Sequence, residues 1–251
     1  MDSVLIAFSG GVDSTFLLKI AQDALGSKVL AVTAVSATYP DEELTAAKKI
    51  ARSLRVRHKI IKTNELKDKN FSLNPVNRCY FCKKELFSGL KDIARREKIN
   101  FVLDASNLSD KFDFRPGVIA KKELKVRSPL EEAGFTKEDI RKLSKTMKLV
   151  TWNKPALACL ASRIPYGVKI SPDILRRIHQ GEKFLKSLGL EQVRLRHYNG
   201  LCRIEAQKKD INQVLNKRNL IIEKLKGLGY NYITVDLEGY RTGSLNEVIK
   251  R

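Results

Sequence analysis

Residues 4 to 17, VLIAFSGGVDSTFL, constrain the fold of this chain more than any other stretch. An apolar run of β type, VLIAF (4–8), leads straight into Ser9-Gly10-Gly11. The helical spacing of Phe16, Leu17, Ile20 and Ala24 follows at once, with Gly26 after Leu25 as its expected C-cap. Two glycines let the backbone turn tightly and approach a ligand, and the N–H groups of the helix start then face whatever lies before the turn. The dipole of such a helix favours a bound anion by about 0.3–2 kcal/mol, and Ser9 and Ser14 add hydroxyls. The loop is not GxxxxGK[ST], because the lysine is missing, and it is not GxGxxG. A strand, an anion-binding turn and a helix in this order predict a parallel sheet with helices on its faces.

The rest of the first part repeats the pattern. VLAVTAVSA (29–37), HKIIKT (58–63) and FVLDAS (101–106) are predicted strands, and Leu44, Ala47, Ala51 and Leu54 mark a helix that starts near Asp41. Further helices are predicted over about 80–97 and in TKEDIRKLSKTMKL, where Thr136 and Asp139 form a capping box with Asp in place of Glu. WNKPALACLASRIPYG (152–167) has two prolines and no sustained period, so it is predicted as an ordered loop. After Pro172 the texture changes to a helix ending near 188, alternating segments QVRLRHY and LCRIEAQ around Asn199-Gly200, a helix over about 211–227 and a strand YITVDL. Asn-Gly between alternating segments signals a hairpin. The expected fold class is therefore α/β, a parallel-sheet domain over 1–170, with a smaller C-terminal α+β domain over 171–251.

A chain of 251 residues with 43% hydrophobic and 30% charged residues has the balance of a soluble globular protein. The N-terminal stretch has no basic n-region, and no run approaches the roughly 20 apolar residues of a spanning helix, so no membrane role is expected and the cytoplasm is the expected location. A net charge of +20 points to anionic partners: nucleotides, phosphorylated small molecules or RNA. The excess is spread along the chain without a basic tail, which makes RNA the weaker of these. Four cysteines are too few for a disulfide scaffold, so CYFC (79–82) leans toward metal or redox chemistry. Cys202 alternates in step with Ile204 and Ala206 and belongs on an apolar face.

SGGVDS matches the pyrophosphate loop (PP-loop) of the ATP pyrophosphatases. That resemblance implies that Ser9, Gly10, Gly11, Asp13 and Ser14 hold the phosphates of ATP, Asp13 through the accompanying Mg2+. LDASNLSDKFDFRPG (103–117) follows a strand and offers Asp104, Asn107, Asp110 and Asp113 to the same crevice, or else is a polar surface turn. Taken together, SGGVDS, DFRPG, SPLEEAGFTKEDIR, WNKPALACLASRIPYG and GYRTGSLNE resemble the LarE family of ATP-dependent sulfur transferases over nearly the whole chain. Members of that family adenylate a carboxylate of pyridinium-3,5-biscarboxylic acid mononucleotide and replace the activated oxygen with sulfur, building the ligand of a nickel-pincer nucleotide cofactor.

Within this resemblance Cys159 takes a central place. In one branch of the family the cysteine at this position surrenders its own sulfur. In the other, three cysteines hold a 4Fe-4S cluster, and Cys79, Cys82 and Cys159 place the chain in that second branch. Three thiolates leave one iron open to carry sulfide, supplied by a donor the sequence does not identify. The same thiolates also suit zinc, and the CxxC pair alone suits a dithiol couple. Arg194 and Arg196 share one face of a strand, and with Arg241 they match the family positions that bind the substrate phosphate; a solvated strand face is the plainer alternative. Lys154, Ser162 and Arg163 flank Cys159 and either stabilise negative charge as oxygen or AMP departs or fix the loop. The resemblance also implies a homo-oligomer, a hexamer. A tRNA thiolase with the same loop and cluster, and a non-catalytic nucleotide-binding module with structural zinc, are the competing readings.

Overall fold

The computed structural model describes residues 1–112, 116–155 and 158–249. They divide into two units, one of residues 1–71 and 75–157 and one of residues 72–74 and 158–251.

The first unit begins as the sequence predicts: β1 (Val4–Ala7), α1 (Val12–Leu25), β2 (Val29–Val35), α2 (Asp41–Ser53) and β3 (Arg57–Lys62). A short α3 (Lys69–Ser72), the long α4 (Arg78–Arg96), β4 (Phe101–Leu103), α5 (Gly117–Glu123), α6 (Pro129–Glu132) and α7 (Lys137–Thr146) follow. All four strands are parallel, in the order β3-β2-β1-β4. Alternation along the strands sends side chains to opposite faces. Val4, Ile6, Val29 and Ala31 pack with Phe16, Leu17 and Ile140 of α1 and α7 on one face, whereas Leu5, Leu30 and Val32 meet Phe87, Leu90 and Ile93 of α4 on the other. Strands covered on both sides read as the unbroken apolar runs seen in the sequence. Burying each such Leu, Ile, Val or Phe contributes about 1.5–3 kcal/mol.

This order places the switch point of the sheet between β1 and β4, the two strands from which the chain departs in opposite directions. Ligands of open α/β sheets bind beyond the carboxyl ends of the strands at such a point. Gly26 closes α1 with φ +56°. At the start of α7 Thr136 and Asp139 complete the capping box in both directions.

In the second unit α8 (Pro172–Ser187), β5 (Val193–Tyr198), β6 (Leu201–Ala206), α9 (Ile211–Asn216), α10 (Arg218–Gly227) and β7 (Tyr232–Val235) build a three-stranded sheet ordered β5-β6-β7. The hairpin forms at Asn199-Gly200, with Asn199 at φ +52°, and β7 joins β6 in parallel. Leu195, Cys202 and Ile204 are fully buried with Leu185 and Leu225. The single helix expected over about 211–227 is two, interrupted at Lys217, whose φ and ψ of −97° and 14° leave the helical region and whose Nζ donates to the Leu188 carbonyl. Residues 158–170 pack with this second unit, earlier than the change of texture near 170. Asn74 explains the grouping: its side-chain amide donates to the carbonyls of Ile164, Pro165 and Val168.

Candidate active site

Directly after β1 the chain turns at Ser9-Gly10-Gly11 into α1. Gly10 has φ +70°, and a Cβ there would lie 3.2 Å from the Ala47 Cα of α2, so conformation and space both require glycine. Ser9 and Ser14 hydroxyls meet at 3.0 Å, and Ser9 Oγ accepts from the Gly11 N–H at 3.3 Å. No side chain caps the first turn of α1. Among the described residues its leading N–H groups therefore have no side-chain acceptor, as a phosphate site requires.

Four elements brace this turn. Tyr39 donates its hydroxyl to the Ser9 carbonyl at 2.9 Å, and its pKa is pushed up to about 12 by burial and by Glu43, which keeps it a donor. Lys154, from the loop after α7, donates to the Gly10 carbonyl at 3.0 Å and pairs with Glu43 at 2.7 Å. Asn107, beyond β4, donates to Asp13 at 3.3 Å, so the segment after β4 does reach the loop. Lys137, the first residue of α7, forms an ion pair with Asp13. Asp104 is buried and accepts from Ser128 and Ser106, with Lys121 Nζ 3.9 Å away. Asp110 accepts from the Asn107 N–H, while Asp113 lies outside the described residues. Tyr39, Glu43 and Lys137 were not singled out from sequence. Only the position of Lys137 at the head of a capped helix, inside the FTKEDIR segment, marked it.

Cys79 and Cys82 stand in the first turns of α4, three residues apart and so on one face of the helix. Cys79 is exposed and Cys82 half-buried, at the start of a helix whose cap residue Asn77 makes no side-chain hydrogen bond to it. A Cβ on Gly117 would come within 2.8 Å of Lys83 Cγ and 3.4 Å of the Cys79 carbonyl, so α5 packs tightly on the CxxC turn. These two thiols fit as two ligands of a three-thiolate cluster or zinc site. Cys159, also exposed, belongs to the second unit, at the cap of a 3-10 turn (Leu160–Arg163). Among the described residues no three His, Cys, Asp or Glu side chains are gathered as for a metal ion. Cys202 is buried at the core, its thiol pushed up to about 12 by burial.

The arginines of the second unit divide by partner. Arg163 is buried and grips Glu182 with Nε at 2.7 Å and Nη2 at 3.0 Å, while Nη1 reaches the Ala158 and Cys159 carbonyls and the Ser162 hydroxyl. Burial opposes its charge, but Glu182 outweighs that and holds its pKa above the ordinary guanidinium value. Arg196, 2% exposed, grips Glu205 in the same bidentate manner and also donates to Ser244 Oγ and the Ser162 carbonyl. Arg241 pairs with Asp236 and Glu247. Arg194 differs. It is buried, lies 4.5 Å from the Tyr240 ring, donates to the Arg241 carbonyl at 3.4 Å, and pairs with no carboxylate among the described residues. Burial lowers its pKa, Tyr240 opposes, and Arg163 and Arg196 lower it further. The face is therefore not a solvated one. Among the described residues it holds in Arg194 a guanidinium outside any ion pair beside paired ones, with Glu205 opposite it on β6 acting only through space, an arrangement that welcomes an anion.

Several known proteins are similar to this chain. A family model described as "Queuosine biosynthesis protein QueC" matches residues 3–73, the stretch carrying the phosphate loop. An uncharacterized protein of a Synechocystis species is 42% identical over all of this chain and 94% of its own length. The pyridinium-3,5-bisthiocarboxylic acid mononucleotide synthase of Lactiplantibacillus plantarum is 37% identical over all of this chain and 91% of its own length. An uncharacterized protein of Methanocaldococcus jannaschii is 29% identical over 95% of the chain and 91% of its own length. With an uncapped phosphate loop on a parallel sheet and similarity from end to end, the chain belongs to the LarE family, that of the Lactiplantibacillus plantarum synthase.

Proposed function

We propose that this protein is an ATP-dependent sulfur transferase that converts a carboxylate of pyridinium-3,5-biscarboxylic acid mononucleotide into a thiocarboxylate, a step in assembling the nickel-pincer nucleotide cofactor. The observation that carries this reading is full-length similarity to a synthase whose name states the bisthiocarboxylic product. The chemistry needs activation because a carboxylate is a poor electrophile. Its oxygen attacks the α-phosphorus of ATP and pyrophosphate leaves. Sulfide then attacks the acyl carbon, and AMP departs with the former carboxylate oxygen.

Each residue group has a part in this. Backbone N–H groups at Gly11 and the start of α1, with Ser9 and Ser14, hold the phosphates, and Asp13 holds the Mg2+ that accompanies them. Lys154 keeps the Gly10 carbonyl in place and Asn107 orients Asp13, while Asp104 completes the wall beyond β4. Arg194 receives the phosphate of the mononucleotide, and Arg196 and Arg241 fix its surroundings. Arg163 shapes the Cys159 loop through that residue's carbonyl and Ser162. Cys79, Cys82 and Cys159 are the residues that would hold a 4Fe-4S cluster, which supplies, when bound, an open iron able to carry sulfide. The assembly is read as a homo-oligomer.

The test supplies anaerobically purified protein with Mg2+, ATP, sulfide and either the mononucleotide or tRNA, and measures AMP and the thiolated product. AMP and thiocarboxylate formed with the mononucleotide are expected; turnover with tRNA alone overturns the substrate. Metal analysis of the same sample should give about four irons per chain. Stoichiometric zinc without iron, together with a loss of about 34 Da from the protein after turnover, would replace the cluster route by surrender of the Cys159 sulfur.

A further inference from the structure

Beyond the residues already given a part, the first unit buries a carboxylate that no phosphate or thiol chemistry requires. Glu65 is 3% exposed, on a 3-10 turn (Glu65–Lys67) just past the carboxyl end of β3. Among the described residues no cation pairs with it. Its Oε1 accepts instead from two hydroxyls, Ser36 Oγ and Thr38 Oγ1, each at 2.6 Å. Those two hydroxyls also meet each other at 2.9 Å, and Ser36 Oγ accepts from the Thr38 N–H at 3.2 Å. A buried carboxylate loses its hydration and is compensated only by the hydrogen bonds it accepts, which here come from those two hydroxyls.

What the arrangement holds is the turn between β2 and α2. Residues 36–39 close on themselves through the Tyr39 N–H to the Ser36 carbonyl at 3.1 Å, and the Tyr39 hydroxyl ends on the Ser9 carbonyl. Glu65 thus fixes the 36–38 segment from one side while Tyr39, next in the chain, grips the phosphate loop on the other. Asn64, just before, donates its N–H to Glu85 of α4 at 2.9 Å, which ties the same turn to the CxxC helix.

We infer that Glu65 is a positioning residue for ATP: its two hydroxyl contacts set the 36–39 turn, and that turn sets Ser9 at the mouth of the phosphate loop. This rests on reading the loop as an ATP site, and an ATP-binding measurement made without the second substrate separates it from the sulfur-transfer reading. Gln offers a carbonyl oxygen of the same reach, so shape alone suffices for the role, whereas Ala removes the shared acceptor and leaves the two hydroxyls only each other.

The experiment measures the Kd of Mg-ATP by calorimetry, with thermal unfolding as the check on folding, for wild type, Glu65→Ala, Glu65→Gln and the pair Ser36→Ala with Thr38→Val. Glu65→Ala is expected to weaken Mg-ATP binding about tenfold, equivalent to about 1.4 kcal/mol, with Glu65→Gln within about threefold of wild type. Steady-state kinetics should show the same split, a raised KM for ATP with kcat and the mononucleotide KM little changed. If Glu65→Ala does not fold, the Ser36 and Thr38 pair, which removes the donors and leaves the carboxylate, must show the tenfold loss instead. Unchanged Kd in the variant that folds overturns the inference. So does a Glu65→Gln as weak as Glu65→Ala, because the charge itself would then be in use. Wild type that binds Mg-ATP but transfers no sulfur would sink the proposed reaction and leave Glu65 in its place; wild type that binds no Mg-ATP sinks both.

Discussion

Arg194 and Arg196 lie two residues apart on one face of β5, and their substitution should separate roles that the period of two makes look alike. Arg196→Ala leaves the fully buried Glu205 with the half-exposed Arg203 and the Ser244 hydroxyl, so thermal denaturation should show a loss of about 3 kcal/mol. Arg194→Ala removes no ion pair among the described residues, and its expected effect is a raised KM for the mononucleotide at nearly unchanged Tm. If the two variants exchange these phenotypes, the phosphate assignment falls. The alternation of QVRLRHY made the shared face legible. It could not show that Ser162, Tyr240 and Ser244 reach these arginines, because those contacts join residues 34 to 48 positions away. The pairing of Lys137 was illegible for a related reason: its partner Asp13 is 124 residues distant. Lys137→Met should raise the KM for ATP about tenfold, as expected for losing a cation beside the phosphate loop.

At the scale of elements, helix ends were the most readable features, since a cap is written in adjacent residues. The capping box of α7 is present as expected, and Thr136→Ala should lower stability by about 0.5–2 kcal/mol in chemical denaturation. The break at Lys217 had no such local mark; its Nζ finds the Leu188 carbonyl only once α8 is packed nearby. Gly117 makes the same point for function. Its φ is negative and any residue fits the backbone, but a Cβ would push on Lys83 and the Cys79 carbonyl and displace the start of α4. Gly117→Ala should therefore lower bound iron after anaerobic purification well below the wild-type content, while Mg-ATP affinity stays the same. Full iron in that variant would mean that the CxxC turn tolerates the shift.

Over the whole molecule, acid stability should follow two histidines, one in each unit. Burial, with Lys48 nearby, depresses His58, and burial with Arg177 nearby depresses His197, both below the ordinary 6.5. The unfolded chain therefore takes up these protons first. Stability is fully present above about pH 6.5 and falls as pH drops through the lower folded values. The depressed carboxylates of Glu97, Glu132 and Glu247 start from 4.5 and act at lower pH. A Tm profile between pH 7.5 and 5 should slope downward for wild type and flatten in His58→Gln with His197→Gln; equal slopes would rule the histidines out. By itself the sequence determined the parallel sheet, the phosphate loop, the hairpin and the buried Cys202, because periodicity and turn chemistry act between neighbours in the chain. Tertiary structure alone decided which charges are already neutralised. It set Glu205 against Arg196, left Arg194 outside any ion pair among the described residues and placed Glu65 under two hydroxyls, since pairing across 9 to 48 positions exists only after the elements have packed.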